Sequence, residues 1–239
     1  MTIKCLAFDL DGTLLLDGSK KIDPRTFDSI QKAMAQGMHI VIASGRDKNG
    51  CKFVYEPLGL ENGNHFLALV NGQIIYDFEN KEYDLDDVLT TEDGIKIQKV
   101  CKEFGVEGIF QCGYDFYSYI SSLNRVKKKV KNAILGEPDD YGLKDGRENR
   151  NFIDLPFEEI RLTQDINKVI MVHTPKFFEK NFDGIKAALS DYDVLLVGPD
   201  WLEIMPKHVS KASALWKICD QLGISMNEVM AFGDAQNDL

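Results

Sequence analysis

Short continuous apolar runs alternate with stretches of helical period, and this rhythm organises the first third of the chain. Ile3 to Phe8 has the unbroken apolar character of a buried strand and ends in Asp9-Leu10-Asp11-Gly12. Leu14 to Leu16 and Lys20 to Ile22 flank Asp17-Gly18, whose tolerance of positive φ predicts a tight hairpin. Asp23 fits an N-cap and Pro24 the first helical position; Phe27, Ile30, Ala33 and Met34 then make one apolar stripe that stops at Gly37. Ile40 to Ala43 predicts a second buried strand, followed by Ser44-Gly45-Arg46 and a helix to about Pro57. Phe66 to Val70 predicts a third strand, and Asn71-Gly72 a two-residue turn into Gln73 to Tyr76. Strands and helices alternating at this spacing predict a parallel, doubly wound α/β sheet.

From about residue 80 the rhythm changes. Helical periods over Glu92–Phe104, Leu123–Leu135 and Pro175–Leu189 are interleaved with strand-like runs on both sides of Gly113, at Lys168–His173 and at Val194–Val197, with a polar loop from Gly136 to Asn151. Strands and helices in this order predict a separate α+β layer inserted into the first. Leu202 to Met205, a helix from Ser210 to Leu222 and Val229 to Phe232 return to the opening rhythm. The expected division is therefore a core over 1–79, an inserted unit over 80–197 and a second core segment over 198–239.

Composition narrows the function. The 239 residues are 44% hydrophobic and 28% charged, which excludes a disordered, collagenous or coiled-coil chain. A formal net charge of -10 repels nucleic-acid backbones and anionic membranes, so neither is an expected partner. The longest apolar runs fall far short of the ~20 residues of a spanning helix. Five cysteines without CxxC spacing predict free core thiols and a reducing, cytoplasmic setting. The basic run Lys127 to Lys131 is expected to be a solvated helix face, and Tyr114, Phe116 and Tyr117 to pack rather than to select a ligand.

The chemistry concentrates at strand ends. Asp9 and Asp11 follow the first strand two residues apart, and period two would put both carboxylates on one side. Asp234, Asn237 and Asp238 follow the run Val229 to Phe232 in an equivalent place. If the two strands are neighbours, four carboxylates converge and repel one another unless a hard cation sits among them; all-oxygen ligands suit Mg²⁺. Lys211, next to the N-cap Ser210, puts a cation at the positive end of a helix, a conflict that an anion would remove. Ser44 and Gly45 could hold phosphate oxygens or merely shape a turn, and Arg46 could simply pair with a carboxylate.

In this order the pieces resemble the haloacid dehalogenase superfamily, within it the Cof-type phosphatases with a type IIB cap. Asp9-Leu10-Asp11-Gly12-Thr13-Leu14, Ala43-Ser44-Gly45-Arg46, Val209-Ser210-Lys211 and Gly233-Asp234-Ala235-Gln236-Asn237-Asp238 are similar to its four motifs. The resemblance implies a Rossmann-like core with an α+β cap, and a Mg²⁺-dependent phosphomonoesterase for a small phosphate ester such as a sugar phosphate. It implies Asp9 as nucleophile and Asp11 as acid/base; Ser44, Gly45, Lys211 and Asn237 as phosphate ligands; Asp9, Asp11, Asp234 and Asp238 around the metal; and Arg46 and Asn71 on the substrate side. A monomer or weak homodimer is expected. Three departures stand out: Ala212 and His208 occupy places where the family usually has Gly, and the family continues through a further strand and helix beyond the fourth motif, so the last core segment looks truncated. A phosphomutase or other phosphotransferase, or a phosphate-binding module without catalysis, are the alternatives.

Overall fold

The computed structural model describes residues 2–15, 21–141, 143, 151–159, 161–162 and 164–234. The expected Asp17-Gly18 hairpin lies outside them, as do Asn237 and Asp238. The chain divides into two compact units, Met1–Asp87 with His208–Leu239, and Val88–Lys207.

The first unit contains β1 (Cys5–Phe8), α1 (Pro24–Ala35), β2 (His39–Ala43), α2 (Lys48–Leu58), β3 (Phe66–Leu69), β4 (Ile74–Asp77), β5 (Glu82–Leu85), and, after the insertion, α6 (Lys211–Leu222) and β12 (Val229–Phe232). Its sheet runs β12-β1-β2-β3-β4-β5, the first four strands parallel and the last two antiparallel. Burial on both faces explains the unbroken apolar runs. Phe8, Ile40, Ile42, Leu67 and Leu69 pack on one face with Ile30 of α1 and Val54 and Leu58 of α2. Their alternates Cys5, Ala7, Val41, Phe66 and Ala68 pack on the other with Ala214, Leu215 and Ile218 of α6. The strand order reverses at β1, which pairs with β2 on one side and β12 on the other, and ligands of open α/β sheets gather at such a switch point.

The second unit contains α3 (Thr91–Phe104), β6 (Glu107–Cys112), β7 (Asp115–Tyr119), α4 (Ser122–Leu135), β8 (Asn151–Leu155), β9 (Lys168–Val172), α5 (Pro175–Ala188), β10 (Tyr192–Gly198) and β11 (Trp201–Pro206). Its sheet order is β10-β11-β9-β6-β7-β8, antiparallel except for β7 with β8. Ile97 and Cys101 of α3 and Phe178 and Ile185 of α5 cover one face, meeting Phe110, Val169, Met171 and Leu202. Phe116 packs with Ile109 and Ile170 on the opposite face, Tyr117 packs against the helical side, and Tyr114 is exposed.

Three sequence expectations need correction. The strand at Leu202–Met205 belongs to the inserted unit, because β11 pairs with β10 and β9. The insertion therefore ends at Lys207, ten residues later than 197. At its other boundary Glu82–Leu85 is the edge strand of the first sheet; all four residues are exposed, so no apolar pattern announced it. Finally, the β3–β4 connection spans Val70 to Gln73 rather than Asn71-Gly72 alone, since Leu69 is the residue that pairs with Ile74. The five cysteines are free and buried, and among the described residues no helix is long and apolar enough to cross a membrane.

Candidate active site

The β12–β1 ladder carries one residue beyond the strand, where the Asp9 N–H donates to the Phe232 carbonyl at 2.9 Å. The chain then turns: Leu14 and Leu15 N–H groups return to the Asp9 and Leu10 carbonyls, and Gly12 takes φ +88°. The period-two expectation for Asp9 and Asp11 lapses because β1 has already ended at Phe8. Asp9 is buried, 8% exposed, and its Oδ1 accepts a 2.6 Å hydrogen bond from Lys211 Nζ. Asp11 stays largely exposed and is gripped from two sides by Arg46, whose Nε and Nη2 reach its two oxygens at 2.9 and 2.7 Å. Asp11 in turn raises the Arg46 pKa, chiefly through that hydrogen bond.

Asp234 comes down from β12 onto the same turn. Its Oδ1 accepts from Thr13 Oγ1 at 2.8 Å, and its Oδ2 lies 2.3 Å from where a Cβ on Gly12 would stand. Gly12 is thus required twice, by its φ and by the carboxylate occupying its missing side chain. No three His, Cys or acidic side chains gather into a metal cage among the described residues, so the expected convergence of four carboxylates is not seen there. Asp11 has turned to Arg46, and Asp238 lies outside the description. What remains, two carboxylates at the ends of adjacent parallel strands and the intervening main-chain carbonyls, is still a hard-oxygen donor set with the chemistry Mg²⁺ takes.

Ser44 is fixed between strands. Its N–H donates to Ala68, its carbonyl accepts from Asn71, and its Oγ accepts from the Arg46 N–H at 3.2 Å. Burial pushes the neighbouring Cys51 thiol up to about 12, against the opposing effects of Arg46 and a Ser44 hydrogen bond. The thiol therefore stays protonated beside the serine. Val70, Asn71 and Gly72 all have positive φ, of 50°, 56° and 96°. For a β-branched valine this conformation is strained, and such strain concentrates at functional sites. The turn brings Gly72 so close to α6 that a Cβ would meet the Ser210 carbonyl oxygen at 2.1 Å.

That contact seats the start of α6. Ser210 caps it in a reciprocal pair with Ser213, at 3.0 and 2.9 Å. Lys211, 7% exposed, opposes the helix dipole but turns its ammonium to Asp9, so the anion relieving the conflict is the protein's own carboxylate. His208 adopts φ +72°, which accounts for glycine being usual there, whereas Ala212 sits in ordinary helix. The segments that follow the carboxyl ends of β12, β1, β2 and β3 thus carry Asp234, Asp9, Asp11, Ser44, Arg46 and Asn71, and the start of α6 adds Lys211. Gly12, Thr13 and Gly72 were not foreseen as site residues, because their signal is close approach between segments distant in the chain.

A doubly wound core with an acidic switch point, interrupted by an α+β insertion, defines a class of capped α/β hydrolases. The chain belongs to the haloacid dehalogenase-like hydrolase family, whose model matches residues 6–239. It is 30% identical over its whole length to the Streptococcus pyogenes serotype M6 protein named "Putative phosphatase M6_Spy0533", covering 83% of that protein. To the Bacillus subtilis 5-amino-6-(5-phospho-D-ribitylamino)uracil phosphatase YcsE it is 27% identical, over 99% of this chain and 79% of that one. The solved structure of the HAD subclass IIB sugar phosphatase BT4131 superposes with a TM-score of 0.72 at 21% identity, covering 98% of this chain and 82% of that one.

Proposed function

We propose that this hydrolase is a Mg²⁺-dependent phosphomonoesterase that transfers the phosphoryl group of a small phosphate ester, such as a sugar phosphate, to Asp9 and then to water. The observation that carries the reading is the buried Asp9–Lys211 pair, 2.6 Å apart at the end of β1. A carboxylate held under a fixed ammonium stays ionised and is aimed, and the same ammonium can neutralise charge on an incoming phosphoryl group. An Asp9 oxygen attacks phosphorus while the ester P–O bond breaks, and the leaving alkoxide takes a proton from the Asp11 carboxyl. Water then attacks phosphorus, giving its proton to the Asp11 carboxylate; the acyl-phosphate bond breaks, inorganic phosphate leaves and the Asp9 carboxylate is restored.

In this reading Ser44, Gly45, Lys211 and Asn237 hold the phosphoryl oxygens, and Arg46 and Asn71 border the leaving group. Asp9, Asp234, the Asp11 carbonyl and Asp238 hold Mg²⁺, which supplies charge neutralisation. The protein works as a monomer or weak homodimer in the cytoplasm. Phosphate release from an aryl phosphate with Mg²⁺ present tests the assignment: Asp9→Asn should abolish turnover while still binding phosphate mimics. Turnover retained in that variant, or an isomerised sugar phosphate in place of free phosphate, would contradict it.

A further inference from the structure

Helix α4 sits on the second unit inside out. Leu123, Val126, Val130 and Ile134, one stripe at helical spacing, are 55–78% exposed, while the side turned to the sheet carries Arg125, Lys128 and the buried Asn132. A helix that turns polar groups inward cannot close on a sheet as α3 and α5 do. A cleft of about 890 Å³ remains between α4, the Trp201 and Val172 ends of β11 and β9, and the start of α5. That volume is typical of a small-molecule site.

Its walls differ in chemistry. Asn124, Lys127, Lys128 and Lys131, at i, i+3, i+4 and i+7, line one side. Lys128 is committed: its Nζ lies 2.7 Å from the buried Glu107, which also accepts from Ser118 and Tyr141 at 2.6 Å. The expectation of a wholly solvated basic face is wrong for this residue. Glu107 is thereby fully satisfied, so it does not cancel the remaining charge. Lys127 has no acidic partner among the described residues, and Lys131 has only a long 3.9 Å approach to the exposed Glu137. The facing wall offers flat rings. Trp201 is fixed by its indole N–H donating to Glu203 at 3.2 Å and meets Tyr141 edge-on at 6.4 Å, and His173 lies alongside.

We infer that this cleft is a ligand site for a small planar aromatic molecule bearing an anionic group, with the ring against Trp201 and the anion on Lys127 and Lys131. Within its unit the cleft is remote from the crossings to the core: β11 starts there at Trp201 and ends at Pro206, next to the boundary.

The chain has two tryptophans, and Trp216 on α6 is 62% exposed, so Trp216→Phe leaves Trp201 as the only indole reporter. In that variant, with EDTA present to keep phosphoryl transfer silent, AMP should change Trp201 fluorescence saturably, with half-saturation below about 1 mM. Adding Lys127→Ala and Lys131→Ala, two exposed helix positions where alanine preserves the helix, should weaken the response about 10-fold. Adenosine and ribose 5-phosphate, each lacking one half of the ligand, should be weaker by a similar factor. No saturable response up to about 10 mM, an unchanged half-saturation in the double-alanine protein, or ribose 5-phosphate matching AMP would overturn the inference.

Discussion

At the scale of single residues the account rests on Lys211. A lysine that merely opposes a helix dipole would, on truncation, raise stability by roughly 0.3–1 kcal/mol and leave turnover alone. In the geometry found, Lys211→Ala strips the buried Asp9 of its counter-charge. It should lower kcat/KM about 100-fold or more, roughly 2.7 kcal/mol, as read by steady-state kinetics. Arginine should not rescue it, because a planar fork does not fit a space shaped for a compact ammonium. Gly72 gives a second test: with φ +96° and a main-chain oxygen 2.1 Å from any added Cβ, Gly72→Ala must displace the start of α6. A loss of about 3 kcal/mol in denaturant unfolding is expected, with activity falling alongside. Asp9 was legible in the sequence because it is a charged residue at the end of an apolar run, and Lys211 because it stands next to the N-cap Ser210, a cation at the positive end of a helix. The Arg46 grip on Asp11 was left open, since a turn, not a strand period, decides where Asp11 points.

At the scale of elements, the ends of the strands opposite the site carry their own signature. His65, which opens toward β3, is buried and accepts the Ile40 N–H through Nδ1, so its proton sits on Nε2. Burial, with a contribution from His39, lowers its pKa from 6.5 to about 4. The unfolded chain therefore takes up the proton first: this contribution to stability is intact above pH 6.5 and is lost as the pH falls toward 4. Melting temperatures across that window should fall more steeply for the wild type than for His65→Gln. Equal slopes would show that the imidazole titrates normally. Helices announced themselves best, because their caps are local: Asp23 before Pro24 and Ser210 before Lys211 both stand where the sequence places them. Strand membership was less legible. Leu202–Met205 has the apolar character of either sheet, and only its pairing with β9 and β10 assigns it.

At the scale of the whole molecule, the doubly wound core and the inserted α+β unit follow from a change of rhythm near residue 80, while the boundaries at 87 and 207 depend on long-range pairing. The acidic switch point predicts that a cation stabilises the fold. Mg²⁺ should raise the melting temperature of the wild type, by mass action on the native state alone, and Asp234→Asn should erase most of that shift. The central claim, however, is covalent: Asp9 itself carries the phosphoryl group between ester and water. Borohydride reduction during turnover of a small phosphate ester with Mg²⁺, followed by peptide mass spectrometry, tests it most directly, because hydride converts an aspartyl phosphate to homoserine. The account predicts homoserine at position 9 and at no other aspartate. An unmodified Asp9 in a protein that is releasing phosphate, or homoserine at a different position, would contradict it.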